Sequence, residues 1–295
     1  YPGFNFRMAK FAHERGIRVF YYISPKVWAW KEHRVERIRR YVDKLFIIFP
    51  FEVAYFAGKG IDAVYEGNPL MDAVAERCAA MPPREEFLQA NGLGGRPVIA
   101  LLAGSRRSEV RNNLPFMTAL AELMPEYDFV LAAVPWLGTE LYAELLAGSR
   151  IVCLYDKTYE VVRYADAAVV TSGTATLETA LIGTPEVVCY RTDALTVWAG
   201  RRLLKIPYIS LVNLVMDREI VKELIQQDMT PERAAAELRT ILPGGAQRER
   251  MLADYGSLRE RIGGPGASER VAARMVELLR GGGDSLRGND NGAKR

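Results

Sequence analysis

The sequence predicts an α/β protein built on two doubly wound parallel sheets, the first of them incomplete. Three observations carry that expectation. Short runs rich in Val, Ile and Phe recur along the chain, separated by segments whose apolar residues fall at helical spacing. A Pro- and Gly-rich stretch near residues 73–97 breaks the rhythm once, and the alternation then resumes. Two Rossmann-like sheets joined in this way are expected to face each other across a cleft, where such folds bind ligands.

The elements follow in order. "NFRMAKFAHERG" reads as a helix closed by Gly16, and "IRVFYYIS" as a strand stopped by Pro25. "HRVERIRRYVD" is a basic amphipathic helix with a mostly solvated face, "KLFIIFP" a buried strand and "FEVAYFAGKG" a short helix. "DAVYEGNPL" is a strand running into a loop. This makes 1–80 the remainder of a first domain and 81–97 a linker with a short helix inside. The second domain, 98–245, opens with the strand "VIALLAGS" and the helix "NNLPFMTALAELMPEY", in whose first turn Pro115 is tolerated. "DFVLAAVP", "IVCLY", "AAVVTS" and "EVVCYR" continue as strands, with "TYEVVRYAD" and "GTATLETALIG" as helices. Beyond "PYISLVNL" the pattern is helical: "REIVKELIQQ", "TPERAAAELRTIL", "QRERMLADYGSLRERIG" and "SERVAARMVELLR". The helices of 246–280 are expected to cross back to the first domain, and the Gly-rich polar residues 281–295 to form a disordered tail. The chain starts without Met and drops at once into a helix, so it reads as truncated at its N-terminus.

Composition narrows the function classes. A hydrophobic content of 49% and a charged content of 25% are those of a globular domain. The net charge of +3 is too mild for a nucleic-acid binder, although it suits a weak association with anionic membrane or phosphorylated substrates. Cys78, Cys153 and Cys189 lie far apart and read as reduced thiols of a cytoplasmic protein. His13 and His33 offer no metal-ligand spacing, and no run approaches the roughly 18 apolar residues of a membrane span.

Three constellations carry chemistry. In "LLAGSRRSEVRNNL" a buried strand ends in Gly104, Ser105 and Arg106 before a helix. Gly allows close approach of the backbone, Ser and exposed N–H groups donate to phosphate oxygens, and Arg supplies a fork for a diphosphate. An ordinary charged surface loop is the alternative. In "TSGTATLETALIG", Ser172, Gly173 and Thr174 sit where a helix N-terminus attracts anions, and Glu178 follows Thr174 by about one turn. A carboxylate there can accept both hydroxyls of a ribose. The same residues also fit a helix cap worth about 1 kcal/mol. In "ISLVNLVMDREIVKELIQ", Asn213 precedes a helix expected to start near Asp217, as an amide donor to the same phosphates or as a loop Asn bonded to backbone.

"SPKVWAW", "PFE", "GNPLMD", "LLAGSRRSEV", "TSGTATLETAL" and "YISLVNL" followed by "REIVKELIQ" resemble, in order and spacing, the motifs of the lipid-A-disaccharide synthase family, from Tyr1 to about Leu279. The resemblance implies an inverting glycosyltransferase of the GT-B fold, acting in lipid A and lipopolysaccharide biosynthesis at the cytoplasmic face of the inner membrane. Its donor is UDP-2,3-diacylglucosamine and its acceptor 2,3-diacylglucosamine 1-phosphate. UDP is released, and no metal or cofactor is needed. Carried over by motif, Gly104, Ser105 and Arg106 resemble the nucleotide-diphosphate loop. Ser172, Gly173, Thr174, Thr176 and Glu178 resemble the UDP-binding helix start, with Glu178 on the ribose. Asn213, grouped with Arg106 as catalytic, matches the Asn of a "PN" segment in which Val212 replaces Pro. Asn68 replaces the His of "GHP", so proton transfer is not assigned to it, and Ala103 stands where Pro is common. A family Asp that activates the acceptor hydroxyl would immediately precede Tyr1.

Residues 196–208 set Trp198 and leucines beside Arg201, Arg202 and Lys205, as a membrane-surface helix or one packed in a domain or homodimer interface would. "VWAW" reads as core rather than as a carbohydrate platform. Two other functions stay open at this point: a different UDP-sugar glycosyltransferase or epimerase of the same fold, and a UDP-binding fragment without turnover.

Overall fold

The computed structural model describes residues 2–29, 31–191 and 207–281. Trp30, most of the 196–208 segment and the tail beyond Gly281 lie outside the described residues. The chain divides into two compact units, residues 1–72 with 262–295, and residues 73–261.

In the first unit the alternation read from the sequence forms α1 (Pro2–His13), β1 (Phe20–Tyr22), α2 (Val35–Tyr41), β2 (Lys44–Ile47), α3 (Pro50–Ala57) and β3 (Ala63–Tyr65). The strands form a parallel sheet in the order β1-β2-β3, with Tyr21 opposite Leu45 and Phe46 opposite Val64. Phe6, Ile38, Leu45, Ile47 and Phe56 fill its core. The family motifs of this unit have a structural reason. Glu52, 1% exposed, accepts hydrogen bonds from Ser24 Oγ, Trp28 Nε1 and the N–H groups of Ile48 and Phe49. It therefore knots "SPKVW" to "PFE" where β1 and β2 end. Burial pushes its carboxyl up, against the pull of those four donors. Val27 is buried, as the core reading of "VWAW" requires, and the Trp28 ring packs edge-on against Phe51. Asn68 is fully buried, donates to Ile48 O and accepts from Leu70 N–H, so its amide is spent on shaping the start of α4 (Pro69–Ala79).

The second unit continues with α5 (Arg84–Ala90), β4 (Val98–Leu102), α6 (Arg107–Leu123), β5 (Asp128–Ala133), α7 (Thr139–Leu145), β6 (Val152–Tyr155), α8 (Thr158–Tyr164), β7 (Ala167–Thr171), α9 (Thr174–Ile182) and β8 (Glu186–Tyr190). After these come α10 (Leu211–Met216), β9 (Lys222–Ile225), α11 (Pro231–Ile241) and α12 (Arg248–Ile262). The sheet is parallel throughout, in the order β6-β5-β4-β7-β8-β9. The last helix, α13 (Ala267–Gly281), belongs to the first unit, where Asp72 accepts the N–H groups of Gly266 and Ser268 at its start. The stretch expected as a linker, 81–97, lies within the second unit. Its α5 buries Phe87 beside the Tyr164 ring, which anchors what composition alone reads as a tether.

Three local expectations change. "REIVKELIQQ" is not a helix: Lys222–Ile225 is β9, the sheet's sixth strand. Its apolar spacing fits either period, and pairing with β8 decides the matter. The helix is instead Leu211–Met216, ended by Asp217 at φ 55°, so Asn213 sits inside it rather than before it. Finally, α6 starts at Arg107, which puts Pro115 in the helix interior and not in its first turn.

One buried group yields a prediction about stability. Glu186 opens β8 fully buried, and neither carboxylate oxygen has a hydrogen-bond partner among the described residues. Burial pushes its carboxyl well above the ordinary value of 4.5, and its charge acts on the equally buried Tyr255 phenol. A raised folded value means that the stabilising contribution is complete below the unfolded pKa and is lost as pH rises towards and through the folded one. Glu186→Gln removes that loss. From about pH 5 to about pH 8 the wild-type Tm should fall more than that of the variant; parallel curves would refute the assignment.

Candidate functional site

The two phosphate-type turns leave neighbouring strands, because β4 and β7 pair with Leu102 opposite Val170. One side chain clamps their ends together. Asn113, 1% exposed on α6, donates to Ala103 O at 3.1 Å and to Thr171 Oγ1 at 3.0 Å. Those residues immediately precede Gly104 and Ser172, so both turns start from one fixed point. Asn113 was visible in the sequence only as a polar residue on an otherwise apolar helix face.

The two turns differ in how their helix starts are satisfied. At β4–α6 the N–H groups of Ser105 and Arg106 are already used. Glu109, in the first turn of α6, accepts the N–H groups of Ser105 (2.9 Å) and Arg106 (3.2 Å), and its other oxygen pairs with Arg106 Nη1. The expectation that these N–H groups face a phosphate is corrected, since a carboxylate three residues into the helix reaches them first. What the loop presents outward is the Arg106 side chain, 76% exposed.

At β7–α9 the helix start has no side-chain cap. Gly173, the N-cap, carries no side-chain oxygen, and no described residue lies within 4 Å of where its Cβ would stand. Ser172 Oγ is turned away to donate to Ile209 O at 2.9 Å, and Thr174 is exposed as the first helical residue. The Thr176 N–H is bonded to Gly173 O at 3.4 Å, while the N–H groups of Thr174 and Ala175, at the positive end of the helix dipole, have no hydrogen-bond partner among the described residues. Thr176 does not share that surface. It is fully buried and its hydroxyl donates to Gly173 O, so it shapes the turn from inside.

Asn213 likewise offers no donor to a ligand. It is fully buried, and its amide nitrogen donates to Val221 O and Glu223 Oε1, each at 2.9 Å. Its oxygen accepts the N–H groups of Ile220 and Val221. The backbone-bonded reading of the sequence is the one observed. Its influence is indirect: Glu223 accepts from Ile209 N and Ser210 N, and Ile209 O in turn holds Ser172.

Glu178 is half-buried, one turn into α9. Tyr159 Oη donates to its Oε1 at 3.0 Å, and the Arg77 guanidinium lies 4.7 Å over the Tyr159 ring. Burial, then the Glu178 charge, pushes the Tyr159 phenol far up, so it remains a donor that orients the carboxylate. Sequence reasoning missed Tyr159 because its partner comes from a different helix. It also missed Trp136, 70% exposed beyond β5, whose Nε1 donates to Ser105 O.

The sequence matches the family model of lipid-A-disaccharide synthetase over residues 1–269. The chain belongs to the lipid-A-disaccharide synthase family. A member of that family from Myxococcus xanthus (strain DK1622) is 40% identical over 285 residues, covering 94% of this chain and 73% of that protein. One from Syntrophus aciditrophicus (strain SB) is 40% identical over 290 residues, covering 95% and 74%. Among solved structures, the UDP-GlcNAc 2-epimerase from Neisseria meningitidis bound to UDP-GlcNAc aligns with a TM-score of 0.64 at 13% identity, covering 92% of this chain and 73% of that one. A putative UDP-N-acetylglucosamine 2-epimerase from Listeria monocytogenes aligns at 0.60 and 16% identity. These epimerases share the GT-B type of α/β fold with the chain, whereas family membership separates its chemistry from theirs.

Proposed function

We propose that this chain, as a glycosyltransferase forming the lipid A disaccharide, holds its UDP-sugar donor at the β7–α9 turn. The uncapped start of α9 carries the proposal. The diphosphate takes the free N–H groups behind Gly173, the exposed Arg106 fork closes on it from the neighbouring turn, and Glu178 accepts the ribose hydroxyls. Asn113, Tyr159, Glu223 and Asn213 act as positioning residues. The 6-hydroxyl of 2,3-diacylglucosamine 1-phosphate attacks the anomeric carbon of UDP-2,3-diacylglucosamine opposite the diphosphate. The new C–O bond forms as the bond to UDP breaks, so configuration inverts. Negative charge gathers on the departing diphosphate, where preorganised donors stabilise the transition state by several kcal/mol.

We place the protein at the cytoplasmic face of the inner membrane, where both acylated substrates reside. Among the described residues no helix is long and apolar enough to cross a membrane, so the proposed association is peripheral. The segment 196–208, proposed as a membrane or homodimer contact, lies mostly outside the described residues.

Calorimetry with UDP tests the donor site. Glu178→Ala should weaken UDP binding by about 10-fold or more, the loss of a charge-assisted acceptor. Unchanged affinity would remove Glu178 from the ribose. A mass-spectrometric product assay separates the disaccharide from an epimerised sugar, and UDP binding without turnover would identify a binding fragment.

A further inference from the structure

We propose that Glu109 is a built-in competitor for Arg106: an internal carboxylate that yields the guanidinium to the donor diphosphate and reclaims it to expel UDP. The inference rests on the donor site proposed above. Three observations support it. Glu109 grips the turn with both oxygens, one on the N–H groups of Ser105 and Arg106 and the other on Arg106 Nη1. Room for it is reserved by Gly104, at φ +112°, where a Cβ would stand 2.6 Å from Glu109 Cβ and 2.7 Å from its Oε2. The Arg106 side chain it holds is 76% exposed, so the guanidinium can exchange partners without unpacking anything.

The two grips have different strengths of commitment. The backbone bonds fix the loop and survive a change of partner at Arg106. The ion pair is exposed, hence weak, and a diphosphate on the adjacent helix start outcompetes it by charge. Once the sugar has left, the same carboxylate stands beside the bound UDP as a like charge and as the alternative partner of Arg106. Release of product is thereby favoured, and release limits turnover in many enzymes.

Two variants read this out in opposite directions. Glu109→Gln keeps a carbonyl oxygen for the loop N–H groups but loses the charge, so UDP should bind about 3- to 10-fold tighter, with a matching fall in the product-inhibition constant and a lower kcat. Glu109→Ala loses the loop grip as well, and UDP binding should weaken. If Glu109 is only a helix cap, Glu109→Gln leaves UDP affinity equal to wild type or weaker, and either result overturns the proposal. Failure of the donor site itself looks different: wild-type protein would not bind UDP, or binding would ignore Glu178→Ala.

Discussion

Arg106→Ala should lower kcat/KM for disaccharide formation by about 100- to 1000-fold, the loss seen when one preorganised donor is removed from a developing negative charge. The same substitution should hardly alter stability. The side chain is 76% exposed and its ion pair among the described residues is with the Glu109 carboxylate, an exposed pair of the kind worth about 0–1 kcal/mol. Unfolding curves of variant and wild type should therefore nearly superimpose while turnover collapses. Arg106→Lys tests the fork: it keeps the charge but not the bidentate geometry, and should recover part of the rate. Turnover near wild type in the alanine variant would remove Arg106 from the mechanism.

Asn113→Ala should cost both stability and donor affinity. It leaves Ala103 O and the Thr171 hydroxyl without their donor in a dry interior, a loss of about 2–3 kcal/mol, and adds a small cavity. Because the two acceptors are the last residues before Gly104 and Ser172, the damage reaches both turns, and UDP should bind several-fold more weakly. The control is Leu120→Ala on the same helix, fully buried and remote from the turns, which should lower Tm by at least as much. Leu120→Ala should leave the Kd for UDP unchanged. If both variants shift UDP binding equally, Asn113 acts through global stability alone.

These two residues mark the limits of sequence reading. Arg106 stood out because Gly-Ser-Arg between an apolar run and a helix is a local pattern with a chemical meaning. Asn113 did not, since its partners are a carbonyl oxygen just past the end of β4 and a hydroxyl 58 residues along the chain on β7, brought together only by the pairing of the two strands. The same contrast runs through the site. Thr176 and Asn213 had the right residue type and place in the motif, yet both side chains are fully buried and spend their hydrogen bonds internally. Glu109 was present in the quoted motif, but Arg106 is not a residue that announces a helix N-cap, so the early start of α6 was missed.

From the sequence alone came the alternation of strand and helix, the two strand–helix turns, the position of Glu178 one turn beyond Thr174, and the family. All are set by neighbours a few residues apart, where periodicity and turn chemistry operate. The tertiary structure decided which turn is capped and which is open, that Lys222–Ile225 joins the sheet as its sixth strand, and that of the C-terminal helices expected to cross back, α13 joins the first unit while α12 up to Arg261 stays with the second. Those outcomes depend on which distant group satisfies each buried donor and acceptor, and a polar atom's partner is chosen by packing rather than by its place in the chain.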